Sequence, residues 1–273
     1  MPRPRKRLGQ HFLTDSRILA RIADAVEAGP TDTVVEIGPG PGGLTAELAR
    51  RAGRVIGLEK DRALAAALAG RWANVSIVEG DALGADWHRL ASVDPLAPSP
   101  VNGYRVTGNI PYNITSPLID KALSPPLPAV IAFLVQREVA DRVTAEPGSS
   151  DYGALSVGVQ AVASVERLFR VSAGSFTPPP QVDSALLRMR PRADRLIPDS
   201  LAAAFRRLVV GLFGFRRKQL LRGVRELTGW PADRSAAALE RSGLAPTVRP
   251  EVVSAPEFAV LLTVLVDAGW PGD

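Results

Sequence analysis

Four consecutive residues, Asn109-Ile110-Pro111-Tyr112, have the types and order best suited to chemistry in this sequence. They follow Tyr104-Arg105-Val106-Thr107-Gly108, which reads as a short buried strand. A carboxamide, a rigid proline and an aromatic ring at a strand's carboxyl end can hold a planar, amino-bearing base and aim its nitrogen at an electrophile. The Asn109 side-chain oxygen and the Ile110 carbonyl can each accept a hydrogen from an exocyclic NH2. Pro111 sets φ at about −65° and stiffens the turn. Tyr112 offers a flat face on which a base can stack. Asn and Pro also make ordinary turns, so the reading depends on what precedes them.

Upstream, Glu36-Ile37-Gly38-Pro39-Gly40-Pro41-Gly42-Gly43 joins a strand, Thr33–Ile37, to a helix. Glycines let a backbone approach a ligand closely, and in an open α/β sheet this crevice is where ligands bind. Glu59 ends the second strand and can accept from both ribose hydroxyls; Asp81 ends the third and can accept from an adenine amino group. Three polar anchors at successive strand ends describe a nucleoside pocket. Gly38, Gly40 and Gly43 also satisfy the dinucleotide pattern G-x-G-x-x-G. Pro39 and Pro41 interrupt it, however, and remove backbone donors that a pyrophosphate would use. S-adenosylmethionine has ribose and adenine but no phosphate, and with the Asn109–Tyr112 turn it fits this loop better than a nicotinamide cofactor does.

The elements needed to position these residues are legible as patterns. Asp15 or Ser16 caps a helix running to about residue 28, with Ile18, Leu19, Ile22 and Val26 on one face. Helices are expected over 44–51 and 62–71, strands over 55–58 and 75–78, a Pro-rich loop over 92–103, and a helix starting at Ser116-Pro117. A long apolar strand spans 129–135, a helix 152–163 and a late strand 182–189. Alternating strands and helices imply a parallel sheet covered on both faces. Residues 191–198 read as a linker, followed only by helical patterns at 199–213, 216–228, 233–242 and 256–268. The expected organisation is a basic arm over 1–14, an α/β domain over 15–190 and a helical domain over 199–273.

Bulk properties narrow the possibilities. The 273 residues are 46% hydrophobic, enough for a large domain and a smaller one. There is no Cys, which excludes disulfides and thiolate metal sites and fits a cytoplasmic setting. Only His11 and His88 are present, so a His-rich metal site is not expected, and no metal is invoked. The N-terminus is basic without an apolar stretch behind it, unlike a secretory signal; the longest apolar run, 258–266, is too short to span a bilayer. The net charge of +5 is uneven: residues 185–249 hold 14 basic and 5 acidic groups, while residues 1–7 hold four basic and no acidic ones. The cluster Arg216, Arg217, Lys218, Arg222 and Arg225 suggests a polyanion partner.

The residues now assembled match a known family. The chain resembles the ribosomal RNA adenine N6-dimethyltransferases that act on the small subunit. The matching pieces are Gly9–Leu13, Glu36–Gly43, Glu59, Gly80–Ala82, Asn109–Tyr112, Tyr152–Ser156, Phe176–Ser184 and Arg216–Leu220, which cover nearly the whole chain in order. The resemblance implies a Rossmann-like S-adenosylmethionine-dependent methyltransferase fold with a small all-helical C-terminal domain. It implies methyl transfer to N6 of two adjacent adenosines in a hairpin loop near the 3′ end of small-subunit (16S) rRNA. It further implies a role in small-subunit biogenesis, with rRNA or a partly assembled 30S subunit as partner and a monomeric, cytoplasmic enzyme. Among matched positions, it places His11, Leu13, Gly38, Glu59, Asp81 and Asn109 against the methyl donor and Phe176 against the target base, opposite Tyr112. The family usually has Asn where this chain has His11. Two rivals share the scaffold: the large-subunit (23S) adenine methyltransferases of macrolide resistance, and a non-catalytic ribosome-assembly factor.

Overall fold

The computed structural model describes residues 10–92 and 103–271. The arm before Gln10 and most of the Pro-rich loop expected over 92–103 lie outside the described residues. In chain order the strands are β1 (Phe12–Leu13), β2 (Thr33–Ile37), β3 (Arg54–Glu59), β4 (Val75–Glu79), β5 (Arg105–Asn109), β6 (Val130–Gln136), β7 (Ala163–Val171), β8 (Phe176–Thr177) and β9 (Ser184–Pro191). The helices are α1 (Ser16–Ala25), α2 (Gly43–Ala49), α3 (Arg62–Leu68), α4 (Trp87–Ser92), α5 (Thr115–Ala122), α6 (Arg137–Val143), α7 (Ala154–Gln160), α8 (Ala202–Gly214), α9 (Leu220–Thr228), α10 (Ala232–Arg241) and α11 (Ala255–Asp267).

Seven strands form one sheet in the order β4-β3-β2-β5-β6-β9-β7, and β1 and β8 form a separate pair. The strands from β4 through β6 are parallel, as the alternating pattern requires. The expectation of an all-parallel sheet needs correction, because β9 runs antiparallel to β6. The cause is where the chain enters. β8 delivers it to the carboxyl end of β6, where Ser184 sits opposite Gln136 and the Arg137 N–H donates to the Asp183 carbonyl at 3.0 Å. From that end β9 can only run back.

Local chemistry fixes the elements nearest the crevice. Asp15 caps α1 by accepting from the N–H groups of Arg17 and Ile18. The apolar stripe of α1, Leu19, Ile22, Ala23 and Val26, packs with Leu44 and Leu48 of α2 over Val34, Val55 and Leu134 of the sheet. The buried areas of such side chains each contribute about 1.5–3 kcal/mol. β2 and β5 approach so closely that a Cβ on Gly108 would lie 2.4 Å from the Ile37 carbonyl oxygen. Any larger residue at 108 would push Asn109 away from the loop that follows β2.

The described chain forms two compact units, one reaching Ala140 and resuming over Val165–Pro191, the other made of Asp141–Ser164 and the chain from Arg192 onward. This departs from the single boundary expected near 191–198. The reason is packing: Tyr152, Val157 and Ala161 join a core with Phe205, Leu208, Leu212 and Phe258. The Tyr152 hydroxyl donates to the Val253 carbonyl at 2.8 Å. Leu196 and Ile197 also pack on that core, so the stretch after Pro191 is anchored.

Candidate active site

The site lies at the carboxyl ends of β2, β3, β4 and β5. The loop after β2 turns on Gly38 and Gly40, both in the left-handed region (φ 66° and 58°). The Gly38 N–H donates to the Leu58 carbonyl at 3.0 Å, tying the loop to β3. The Gly40 N–H donates to Glu59 Oε2 at 2.9 Å, and Oε1 of the same carboxylate accepts from the Asp61 N–H at 2.8 Å. Glu59 is buried, and burial pushes its carboxyl up against the pull of the Asp61 and Gly40 amides. Each of its oxygens keeps a second lone pair. Asp81 bridges to Lys60 at 2.7 Å and accepts from the Leu83 N–H at 3.0 Å. The Lys60 ammonium holds the Asp81 carboxyl below the usual range. Gly38, Glu59, Lys60, Asp81 and Asn109 line one cleft with His11 and the Ile110–Ile114 turn.

Asn109, at the end of β5, is held by a backbone acceptor. Its Nδ2 donates to the His11 carbonyl at 2.7 Å. That bond consumes the donor end of the carboxamide and orients the side chain, which leaves Oδ1 as the acceptor the sequence reading required. Ile110 is anchored by its N–H to the Leu134 carbonyl at 3.0 Å, and its side chain is buried. Pro111 has φ −56° and starts a short 3₁₀ turn, Tyr112–Ile114. The Tyr112 hydroxyl pairs with Ser184 Oγ at 2.8 Å, so its ring is fixed from β9. The four turn residues therefore converge on this cleft.

His11 does more than a flanking residue would. Besides its carbonyl, its Nδ1–H donates to the Pro178 carbonyl at 2.8 Å, and its ring stacks on Tyr112 with centroids 5.9 Å apart. The Leu13 side chain is buried in the core with Leu19 and Ile22, opposite Phe176 in the β1–β8 pair, and it borders a smaller cavity with Gly38, Gly40 and Asn109 rather than the main cleft.

Phe176 also requires a correction. It was expected as a ring presented to the target base, yet it is 3% exposed and packed in the same core as Leu13, Leu19 and Ile22. The β1–β8 pairing turns this residue inward, because alternate residues of a strand face opposite sides. What reaches the surface is the following segment. Thr177–Val182 lines a second chamber with Gln10, His11, Tyr112 and Gln136. The two chambers share Gln10, His11 and Tyr112.

The basic cluster divides. Arg217, Lys218 and Arg222 are exposed, with no acidic partner among the described residues. Arg216 is already engaged within the protein: its Nε pairs with Glu251 at 3.1 Å and its Nη2 donates to the Ser150 carbonyl at 2.8 Å. It clamps the 148–151 turn, whose Gly148 N–H donates to the Glu251 carbonyl at 2.7 Å.

Sequence reasoning missed Lys60, whose role depends on a strand neighbour, and did not foresee that Glu36 lies hidden beneath the glycine loop. Glu36 is 1% exposed, and its Oε2 has no hydrogen-bond partner. Burial raises its pKa to about 8, opposed by the Thr45 hydroxyl and reinforced by the Glu59 charge. It lines a small cavity behind the loop with Gly38, Gly40 and Asn109.

Comparison with known proteins accords with this geometry. A family model described as "Ribosomal RNA adenine dimethylase" matches residues 1–254. A ribosomal RNA small subunit methyltransferase A from Pelotomaculum thermopropionicum is 43% identical, over 97% of this chain and 92% of its own. A dimethyladenosine transferase from Plasmodium falciparum superposes with a TM-score of 0.81 at 26% identity, covering 95% of this chain and 99% of that one. The 23S rRNA methyltransferase ErmE superposes with a TM-score of 0.70 at 30% identity, covering 93% and 99%. The α/β unit has the Rossmann-like methyltransferase fold.

Proposed function

The chain belongs to the ribosomal RNA adenine dimethylase family, and from that premise we propose that it methylates N6 of two adjacent adenosines near the 3′ end of small-subunit rRNA. S-adenosylmethionine is the donor. The residues present suit it: a carboxylate with spare lone pairs at Glu59, an ion pair at Lys60 and Asp81, and a proline-interrupted loop that offers a phosphate few amides. Bound there, the donor supplies a methyl group already activated by a sulfonium.

The chain's own work is then positioning. Asn109 Oδ1 and the Ile110 carbonyl accept the two N6 hydrogens and draw the nitrogen towards tetrahedral geometry, which favours the transition state over the ground state. No strong base is needed, since N6 becomes acidic only after attack. Tyr112 carries the base, and His11 braces Tyr112 from the N-terminal segment. A monomethylated amine retains one N–H, so the second transfer proceeds with one acceptor unfilled. Extruding a base costs less from a loop than from a duplex. Arg217, Lys218 and Arg222 hold phosphates.

The observation that carries this reading is the Asn109–His11 bond, which commits the carboxamide oxygen to the role of acceptor beside Tyr112. The small-subunit target is favoured over the large-subunit one by 43% identity to a small-subunit enzyme against 30% to ErmE. The enzyme is proposed to act as a cytoplasmic monomer on a partly assembled subunit. Labelled donor offered to unmodified small- and large-subunit particles tests the assignment. Reverse-transcriptase stops at adjacent adenosines of the small subunit are expected; stops confined to the large subunit would overturn it.

A further inference from the structure

The second chamber contains a polar group that the mechanism leaves unused. Gln136 ends β6, half-buried, and its carboxamide has no hydrogen-bond partner among the described residues. The carboxamide is not sealed from solvent, so it faces the chamber as a polar group free to pair with what enters it. Its position is fixed on every side. Val135 before it is fully buried, the Arg137 N–H after it is held by Asp183, and Ser184 lies opposite it on β9. Ser184 is the residue whose hydroxyl pairs with Tyr112. One strand pair therefore sets both the stacking ring and this carboxamide.

The rest of the chamber indicates what it accepts. Its lining holds no Asp, Glu, Lys or Arg, so it suits an uncharged planar ring better than a phosphate. Of the other carboxamides, Gln10 has a partner of its own and Gln181 is exposed on the proline loop. Gln136 is the one anchored on a strand next to β5, which carries Asn109 at its end.

We infer that Gln136 is a specificity residue that donates its carboxamide N–H to a ring nitrogen of the target adenine while Asn109 and Ile110 hold the exocyclic amine. This rests on the adenine-methylating reading above. Adenine N1 and N7 lie on either side of the exocyclic amine, and both are acceptors. Guanine carries a hydrogen on N1, so a contact to N1 would also reject guanine. The first methylation leaves both ring nitrogens unchanged. The contact to Gln136 therefore persists into the second transfer, when the amine has lost a hydrogen.

The test uses small-subunit particles whose target adenosine is replaced by 1-deaza- or 7-deazaadenosine, with single-turnover rates for the full-length enzyme and its variants. On unmodified adenosine, Gln136→Ala slows transfer about three- to tenfold, the loss of one neutral hydrogen bond. Gln136→Glu has the same shape but no N–H, and it slows transfer more. One deaza substitution slows the wild type by the same factor and leaves Gln136→Ala unaffected, which identifies the nitrogen; the other slows both equally. Donor affinity, measured by calorimetry, is unchanged in both variants. A wild-type rate for Gln136→Ala, or deaza effects identical in wild type and variant, would overturn the inference. Failure of the wild type to methylate unmodified particles would instead defeat the functional reading beneath it.

Discussion

Replacing Glu36 by Gln should stabilise the protein at alkaline pH and flatten its response to pH. Glu36 is fully buried, one oxygen has no partner, and its pKa is raised from 4.5 to about 8. The folded protein therefore holds a proton that the unfolded chain has released between those two values. The stability linked to that proton is fully present below pH 4.5, erodes as pH rises, and is lost above about 8. A shift of this size corresponds to a few kcal/mol, on the order of 4–5, at about 1.4 kcal/mol per pH unit. Gln has the same shape and no charge to bury. Urea unfolding of wild type and Glu36→Gln at pH 5, 6, 7, 8 and 9 measures the difference. The two should be similar at pH 5, and the variant should gain steadily until about pH 8. Parallel stability curves across that range would refute the reasoning, because they would mean that Glu36 is not protonated in the fold.

Four other outcomes follow from contacts described above. Glu59→Gln should weaken donor binding about ten- to hundredfold by calorimetry, as expected for a charged hydrogen bond worth about 1.5–3 kcal/mol; unchanged affinity would remove Glu59 from the donor site. Phe176→Ala should cost about 3–5 kcal/mol of stability in chemical denaturation, as a buried ring does; lost activity at full stability would restore it to the base-stacking role. Binding to particles should weaken steeply with salt, and removing Arg217, Lys218 and Arg222 together should reduce the slope by about 2–3 units, whereas Arg216→Ala should lower the melting temperature of the protein through the 148–151 turn.

Much of the site was legible because its residues are local. The Asn109–Tyr112 turn, the glycine loop and the acids at strand ends each lie in one short stretch, and a parallel α/β pattern brings such ends to one edge. What was not legible depends on distant pairing. β1 and β8 are two residues long, below any periodic signal, yet their pairing turns Phe176 inward and delivers the chain to the carboxyl end of β6. β7 carries Glu166, Arg167 and Arg170 among its apolar residues and shows no clean alternation, so it was not anticipated. The second unit draws in Asp141–Ser164 because Tyr152 is buried against Phe258 and its neighbours, a contact across about a hundred residues of sequence that no local pattern announces. The Arg216–Glu251 pair, likewise distant, separates one arginine of the cluster from the four basic residues that stay exposed.

The central claim is that the Asn109 oxygen, oriented by the His11 carbonyl, holds the amine in line for transfer. Single-turnover methylation by Asn109→Ala, with donor affinity measured on the same preparation, tests it most directly. The account predicts a rate lower by about a hundredfold or more, the usual cost of losing one preorganised polar contact to a transition state, with donor affinity within a few-fold of wild type. A near-normal rate, or a loss explained entirely by weaker donor binding, would contradict it.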